Sequence, residues 1–186
     1  MKWLVLLSGC GLGDGSCIEE TVMSYIALDR YHCDYLPVAE NRIEPSVDHF
    51  TERTGERRSV LTESARIGRG RIQDLSQIHL KDYDALLIPG GIGLLANYAQ
   101  SKAVSQCVLY FSGPGRKIGS MCAGIDFLRG ILGTELLRKE TEDLQAASFC
   151  CDKDRKIFYT PAFRKTSSCD IALLGVCAMI QAMLKN

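Results

Sequence analysis

One cysteine lies between a short predicted strand and a predicted helix. Cys122 follows the apolar residues 118–121 and precedes Ala123, Gly124 and a helix-like apolar stretch. The N–H groups at a helix N-terminus favour an anion, so a cysteine here is expected to have a lowered pKa and a reactive thiolate. Small neighbours suit the sharp turn of a nucleophile elbow, with the looser spacing Gly119-x-x-Cys122-x-Gly124. A packed structural thiol is the alternative, because free cysteine is among the most buried residue types.

Composition restricts the classes of protein to which the chain can belong. Its 186 residues are 46% hydrophobic and 24% charged, which predicts one globular domain over residues 1–186 with a sizeable core. Lys and Arg together number 22, as do Asp and Glu, so no net charge draws the protein to nucleic acid or to an anionic membrane. We therefore expect neither nucleic acid nor a membrane as a partner.

Nine cysteines are scattered along the chain, without a Cys-x-x-Cys pair and with Cys150 and Cys151 adjacent. This spacing suits neither a zinc site, nor a thioredoxin-type redox pair, nor an ordinary disulfide. Reduced thiols of this kind indicate a cytoplasmic protein. We expect no metal and no cofactor.

The first apolar run covers residues 3–7 and leads into Ser8-Gly9-Cys10, which resembles the cleavage box of a bacterial lipoprotein. Five apolar residues are too few for a signal peptide, whose apolar region has about 7 to 15 residues. The run instead predicts a strand buried on both faces. No other apolar stretch approaches the roughly 20 residues of a membrane span.

A glycine-rich loop, with glycines at positions 9, 11, 13 and 15, separates this strand from a predicted helix. The apolar positions of the helix are Ile18, Val22, Tyr25, Ile26 and Leu28. Strand, glycine loop and helix also begin many dinucleotide sites, but Asp14 replaces the third glycine of Gly-x-Gly-x-x-Gly. A carboxylate there would repel a pyrophosphate, which argues against dinucleotide binding.

Strands and helices alternate along the rest of the chain. Further strands are predicted at residues 33–38, 85–88, 118–121, 149–151 and 157–159, and a loop or hairpin at 41–58. Helices are predicted at 59–67, 125–132, 136–145 and 169–184, and one or two helices at 94–112. This order predicts an α/β fold of three αβα layers, a flavodoxin-like and mostly parallel sheet with helices on both faces. Ligands of such sheets bind beyond the carboxyl ends of the strands. Three strand ends therefore matter: Leu7 before the glycine loop, Ile88 before Pro-Gly-Gly, and Met121 before Cys122.

Taken together, the motifs at these strand ends resemble the PfpI superfamily of class I glutamine amidotransferase-like proteins. More narrowly, the chain is similar to ElbB, the sigma cross-reacting protein family, known as isoprenoid-biosynthesis-associated amidotransferase-like or glyoxalase-like proteins. The matching segments are residues 8–11, 14–16, 60–67, 69–70, 84–85, 89–93, 97, 121–122 and 160–163. They run in order over most of the chain, so the resemblance implies a single PfpI-like domain with a reactive Cys122.

The resemblance also implies the residues around this cysteine. A glutamate from the first helix bonds the elbow cysteine in the superfamily, and the matching position is Glu20, because Glu19 projects from another face of the helix. A buried carboxyl beside a thiolate should have a raised pKa. The oxyanion hole is expected from the backbone N–H groups of Gly91 and Ala123. Residues that could line the pocket are Cys10, Asp14, Gly90, His49 and Asn97.

The histidines depart from the superfamily pattern. A Cys-His-Glu triad needs a histidine downstream of the cysteine, but His32, His49 and His79 all precede Cys122. PfpI-type proteases carry histidine directly after the cysteine, where this chain has Ala123. Glutaminase and peptidase activities are therefore not expected. His49 is either a proton-transfer group or, as we favour, a histidine on a polar surface loop.

Three functions remain open at this point. The first is a glyoxalase-like lyase, in which Cys122 adds to a small reactive carbonyl and Glu20 shuttles the proton without a cofactor. The second is a non-enzymatic redox-sensing or regulatory protein, with an oxidant acting on Cys122. An amidotransferase-like protein of isoprenoid metabolism without a complete triad is a further alternative. A small molecule and a second copy of the chain, as a homodimer, are the expected partners.

Overall fold

A seven-stranded sheet forms the middle layer of the computed structural model, which describes residues 1–185. Its strands are β1 (Lys2–Leu6), β2 (Asp34–Ala39), β5 (Gln73–Asp74), β6 (Ala85–Ile88), β7 (Lys117–Met121), β8 (Cys150–Asp152) and β9 (Ile157–Thr160). They lie in the order β5-β2-β1-β6-β7-β9-β8, and every pairing is parallel except that of β8 with β9. The predicted mostly parallel, flavodoxin-like sheet is confirmed.

Alternate residues of β1 face opposite sides of the sheet and enter two separate cores. Leu4 and Leu6 pack with residues of α3 (Gly93–Asn97), α4 (Lys102–Phe111) and α5 (Gly124–Leu132). Trp3 and Val5 pack on the other side against α1 (Ile18–Arg30) and α6 (Cys169–Lys185). Helices on both faces thus confirm the three-layer αβα arrangement.

The segment between β2 and β5 forms an antiparallel hairpin apart from the main sheet. It consists of β3 (Ile43–Asp48) and β4 (Arg53–Ser59), followed at once by α2 (Val60–Ile67). The Ser59 Oγ accepts a hydrogen bond from the Thr62 N–H at 3.2 Å and caps α2. The hairpin lies against the glycine loop, because the Val47 N–H donates to Asp14 Oδ2 at 2.7 Å.

The prediction of which face of α1 is buried was confirmed at Leu28 but wrong at three of its five positions. Ile18, Val22 and Ile26 are 46%, 43% and 41% exposed. The buried residues of the helix are Glu20, Thr21, Met23, Ser24, Ala27 and Leu28. Burial of the hydroxyls is possible because they bond within the helix: Thr21 Oγ1 donates to Cys17 O at 2.8 Å, and Ser24 Oγ donates to Glu20 O at 2.7 Å.

The helix predicted at residues 136–145 is absent, and this segment consists of turns. Leu136 and Leu137 are buried at its start, and Leu137 has a φ of +49°, which a right-handed helix does not allow. Their carbonyls accept hydrogen bonds from Arg129 Nε at 3.0 Å and Nη2 at 3.2 Å. Anchoring by Arg129 and by two buried leucines therefore overrides the helical propensity of this charged segment.

All nine cysteines are free thiols, and Cys17, Cys107 and Cys177 are buried. Within residues 1–185, no helix combines the length and the apolar character needed to cross a bilayer.

Candidate active site at the Cys122 elbow

Cys122 occupies a sharp turn between the end of β7 and the start of α5. Its φ is +49°, an unfavourable conformation for a residue with a side chain, which costs on the order of 1–3 kcal/mol. The Cys122 N–H donates to Thr160 O at 3.2 Å, and the Tyr159 hydroxyl donates to Cys122 O at 3.3 Å. Two contacts with the end of β9 therefore hold the strained turn, and the side chain is partly accessible.

Glu20 reaches this turn from the first turn of α1 and is 0% exposed. The Phe163 N–H donates to Glu20 Oε1 at 3.5 Å, and the Gly90 N–H also interacts with the carboxyl. Among residues 1–185, no N–H or O–H group bonds Glu20 Oε2, and the Cys122 thiol interacts with the carboxyl. Burial raises the pKa of Glu20 to about 7, against the smaller opposing effect of these hydrogen bonds.

Gly90 allows the two side chains to meet. A Cβ atom at this position would lie 2.3 Å from Glu20 Oε2 and 2.7 Å from Cys122 Cβ. Only glycine fits at this position, because the loop after β6 packs directly against the side chains of Glu20 and Cys122.

The pKa of Cys122 is raised to about 11, first by burial and second by the charge of Glu20. The Ala123 N–H and the Arg164 guanidinium act in the opposite direction. The expected lowering of the thiol pKa is therefore wrong: the helix N-terminus contributes, but burial outweighs it. Between pH values of about 7 and 11 the coupled pair holds one proton and one negative charge.

Gly91 and Ala123 were predicted to supply the oxyanion hole. The Ala123 N–H interacts with the Cys122 thiol. The Gly91 N–H donates to no protein acceptor within residues 1–185. Gly91 has a φ of +118°, and a Cβ atom on it would lie 2.2 Å from Gly15 O and 2.7 Å from Cys17 N. This close approach seats the loop after β6 on the glycine loop.

We expect Gly91→Ala to lower the free energy of unfolding by about 2–4 kcal/mol, since it combines a disfavoured φ with a backbone overlap. Urea unfolding at neutral pH measures the change. Gly130→Ala is the matched control, because a Cβ atom there meets nothing within 4 Å inside α5 and should stabilise by about 0.5–1 kcal/mol. Equal stability of Gly91→Ala and the wild type would contradict the close approach.

Cys10, Asp14 and Asn97 lie together, but in a different cleft. It runs between the glycine loop and the β3–β4 hairpin, and its other lining residues include Arg58 and Glu63. Asn97 Nδ2 donates to Ser8 O and to Asp14 O, each at 2.8 Å. The amide of Asn97 thus holds the glycine loop in place, and neither Cys122 nor Glu20 lines this cleft.

His49 contacts the same loop from the hairpin. Its Nε2 accepts a hydrogen bond from the Gly13 N–H at 2.9 Å and lies 3.8 Å from Asp14 Oδ1. These contacts place the ring beside the loop, at a half-exposed position. A role of His49 in proton transfer stays a prediction.

Arg164 and Asp126 complete the surroundings of Cys122 and were not foreseen from the sequence. Arg164 Nη1 lies 3.5 Å from Asp126 Oδ1, and Arg164 Nη2 contacts Asp126 Oδ2 more closely. Asp126 lies in the predicted helix 125–132 that follows Cys122, and Arg164 falls one residue beyond the matching segment 160–163. The signal that could have found them is opposite charge on two segments that both follow carboxyl ends of adjacent strands.

Within the described chain, no three His, Cys, Asp or Glu side chains cluster as metal ligands do. The chemistry available is that of a thiol, a carboxyl with a pKa of about 7, backbone N–H donors and a guanidinium.

The chain is similar to several known proteins. No protein-family model matches the chain. It is similar to the human mitochondrial glutamine amidotransferase-like class 1 domain-containing protein 3, with 29% identity over 218 residues, 97% of this chain and 81% of that protein. The mitochondrial ES1 protein homolog of Rattus norvegicus is 33% identical over 131 residues. That alignment covers 63% of this chain and spans about half of the rat protein, 49%.

Several solved structures are also similar to this chain. The isoprenoid biosynthesis protein with amidotransferase-like domain from Ehrlichia chaffeensis has a TM-score of 0.91 and 29% identity, covering 100% of this chain and 99% of that one. Schizosaccharomyces pombe DJ-1 has a TM-score of 0.59 and 15% identity, over 98% of this chain and 91% of that one, and shares the fold alone.

Proposed function

We propose that this chain, which fits the PfpI superfamily of class I glutamine amidotransferase-like proteins, is a cofactor-independent glyoxalase-like lyase acting on small reactive carbonyls. The observation that carries the proposal is the pairing of the Cys122 thiol with the buried Glu20 carboxyl at the elbow. A thiol supplies the nucleophile, and the carboxyl supplies and accepts protons. No histidine downstream of Cys122 competes for either role.

With methylglyoxal the steps balance as an internal redox reaction plus addition of water. Cys122 transfers its proton to the Glu20 carboxylate, and its sulfur bonds the aldehyde carbon. The protonated Glu20 returns that proton to the aldehyde oxygen, which gives a hemithioacetal. Glu20 then removes the hydrogen from the former aldehyde carbon as a proton and delivers it to the ketone carbon through an enediol. The hydroxyl on the former aldehyde carbon gives up its proton in the same rearrangement, and the ketone oxygen takes up one proton to become the hydroxyl of lactate. The resulting thioester of lactate is hydrolysed by water, which releases lactate and restores the thiol.

The pKa of about 7 suits Glu20 for this sequence, because a group that alternates between base and acid works best when its pKa is near the working pH. The oxygen that becomes negative as sulfur adds to the carbonyl needs hydrogen-bond donors. Gly91 and Ala123 are the proposed source, through their backbone N–H groups.

Product analysis tests the proposal directly. Wild-type protein incubated with methylglyoxal should form lactate above the rate in buffer, as measured by NMR or by a lactate-specific enzyme assay. Cys169→Ser is the control for nonspecific thiol addition, because Cys169 is the exposed cysteine at the start of α6, and its lactate formation should equal that of the wild type. Absence of lactate from the wild type would overturn the activity.

Redox sensing at Cys122 is the second candidate, supported by the partial exposure of its sulfur. The raised pKa weakens it, because peroxide reacts with thiolate rather than thiol. Mass spectrometry after mild peroxide decides the matter: Cys122 oxidised no faster than Cys10 or Cys107 would contradict this role. An amidotransferase-like role in isoprenoid metabolism is the remaining alternative, suggested by the name of the Ehrlichia protein.

Location and assembly are proposed on separate grounds. Reduced cysteines favour the cytoplasm, whereas the human and rat relatives are named mitochondrial. A homodimer stays a prediction, which the molecular mass in solution would test.

A further inference from the structure

Two guanidinium groups share one carboxylate close to the elbow. Both terminal nitrogens of Arg164 contact the carboxylate of Asp126. Arg129 Nη1 lies 3.6 Å from Asp126 Oδ1. This group of three, Arg164, Asp126 and Arg129, therefore carries a net charge of +1. Arg129 is committed to the fold, because its Nε and Nη2 donate to backbone carbonyls of the 136–145 segment. The guanidinium that is available to bind an anion is therefore that of Arg164.

The backbone that forms the active site also positions this cation. Asp126 stands in the first turn of α5, directly after the Cys122 elbow. Arg164 follows Phe163, whose N–H donates to Glu20 Oε1. Each end of the Arg164–Asp126 ion pair is thus fixed to a segment that touches one member of the thiol–carboxyl pair.

Arg164 still has donors to offer. A guanidinium carries five N–H groups, and one carboxylate takes two of them in a bidentate contact. The side chains of Arg164 and Asp126 are 38% and 39% exposed, so the remaining donors can reach a molecule from solvent. The charge also acts on the Cys122 sulfur, which places it within electrostatic range of the reacting atom.

We infer that Arg164 binds an anionic group of the substrate beside Cys122, so that small carbonyl compounds bearing a carboxylate are preferred. This inference rests on the proposed attack by Cys122 on a carbonyl carbon. Arg164 is the specificity-determining residue, and Asp126 holds its side chain in place. The carboxylate of the ligand accepts N–H groups of Arg164 while its carbonyl carbon faces the sulfur.

Alkylation with two reagents of different charge tests the inference without requiring turnover. Iodoacetate and iodoacetamide both transfer their carbon to the Cys122 thiolate and release iodide, but only iodoacetate bears a carboxylate. The ratio of the two rates at Cys122, followed by peptide mass spectrometry, cancels the fraction of thiolate. We expect Arg164→Gln to lower the iodoacetate-to-iodoacetamide ratio by about threefold to fivefold, the size of a partly exposed ion pair.

Arg155→Gln is the matched control. Arg155 is also a half-exposed arginine beside an aspartate, but it lies in the turn that precedes β9, at the far end of that strand. Its replacement should leave the ratio unchanged. An unchanged ratio in Arg164→Gln, or an equal fall in Arg155→Gln, would overturn the inference. Lactate assays separate the two proposals: a lowered ratio without lactate formation refutes only the lyase, and lactate formation with an unchanged ratio refutes only the anionic subsite.

Discussion

Cys122→Ala is expected to abolish lactate formation from methylglyoxal, with a loss of at least about a thousandfold in kcat. Without the sulfur no hemithioacetal forms, and Glu20 alone cannot activate the aldehyde carbon. The fold should persist, because Cys122 is only partly buried and alanine keeps both backbone hydrogen bonds: its N–H donates to Thr160 O, and its carbonyl accepts from the Tyr159 hydroxyl. Lactate production and far-UV circular dichroism on the same preparation measure both effects.

Cys150→Ala provides the control for this variant. Cys150 is a partly buried thiol on β8, and burial raises its pKa to about 12. It should therefore leave the rate unchanged. Lactate formed equally by Cys122→Ala and by the wild type would show that the reaction proceeds elsewhere.

Glu20→Gln is expected to change turnover and thiol reactivity in opposite directions. Turnover should fall by about 10²–10⁴-fold, because the amide neither accepts nor releases the proton. Alkylation of Cys122 by iodoacetamide at pH 8 should become faster, because the charge of Glu20 is the second cause of the raised thiol pKa. Each unit by which the pKa falls raises the thiolate fraction about tenfold at pH values below it. Rates of alkylation over pH 6–10 measure the shift.

Glu19→Gln is the matched control, since Glu19 precedes Glu20 on α1 and points elsewhere. Its effects on both rates should be small. A pH profile of alkylation that is the same in Glu20→Gln and the wild type would rule out the pairing. Unchanged turnover would rule out Glu20 as the proton carrier while leaving the pairing intact.

The strands β1 and β6 could be predicted from the sequence because they consist of continuous apolar runs, whereas the two-residue strand β5, Gln73–Asp74, is polar and was not predicted. Residues 85–88 match β6 without error, since a strand buried on both faces has no polar position to obscure its limits. The elbow could be predicted for a related reason: a buried strand, small residues and a helix follow one another locally. Local order of this kind needs no knowledge of distant contacts.

The face of α1 could not be predicted, because its burial depends on chemistry rather than hydropathy. Glu20 is buried to meet Cys122, and Thr21 and Ser24 are buried because the helix satisfies their hydroxyls. An apolar pattern therefore indicated the opposite side, with Ile18 and Val22. A helix that carries a carboxyl into a core breaks the rule that polar residues face water.

The direction of the thiol pKa shift was predicted wrongly, and Arg164 was not predicted, for a different reason. Both depend on distances between segments far apart in the chain: Glu20, Cys122 and Arg164 are separated by many residues and are assembled by β1, β7 and β9. A sequence indicates that a helix N-terminus lies beside Cys122, but not how much burial opposes it.

Burial of the thiols also sets how the fold responds to alkali. The pKa values are raised to about 11 for Cys122 and to about 12 for Cys17 and Cys107. In the unfolded chain these thiols ionise near pH 8.5, so below that value both states keep their protons and the full stability is present. As the pH rises further, the unfolded chain releases protons that the folded chain retains, and the free energy of unfolding declines until the folded pKa values are passed. The burial that keeps these thiols protonated at neutral pH therefore also lowers the stability of the fold in alkaline solution.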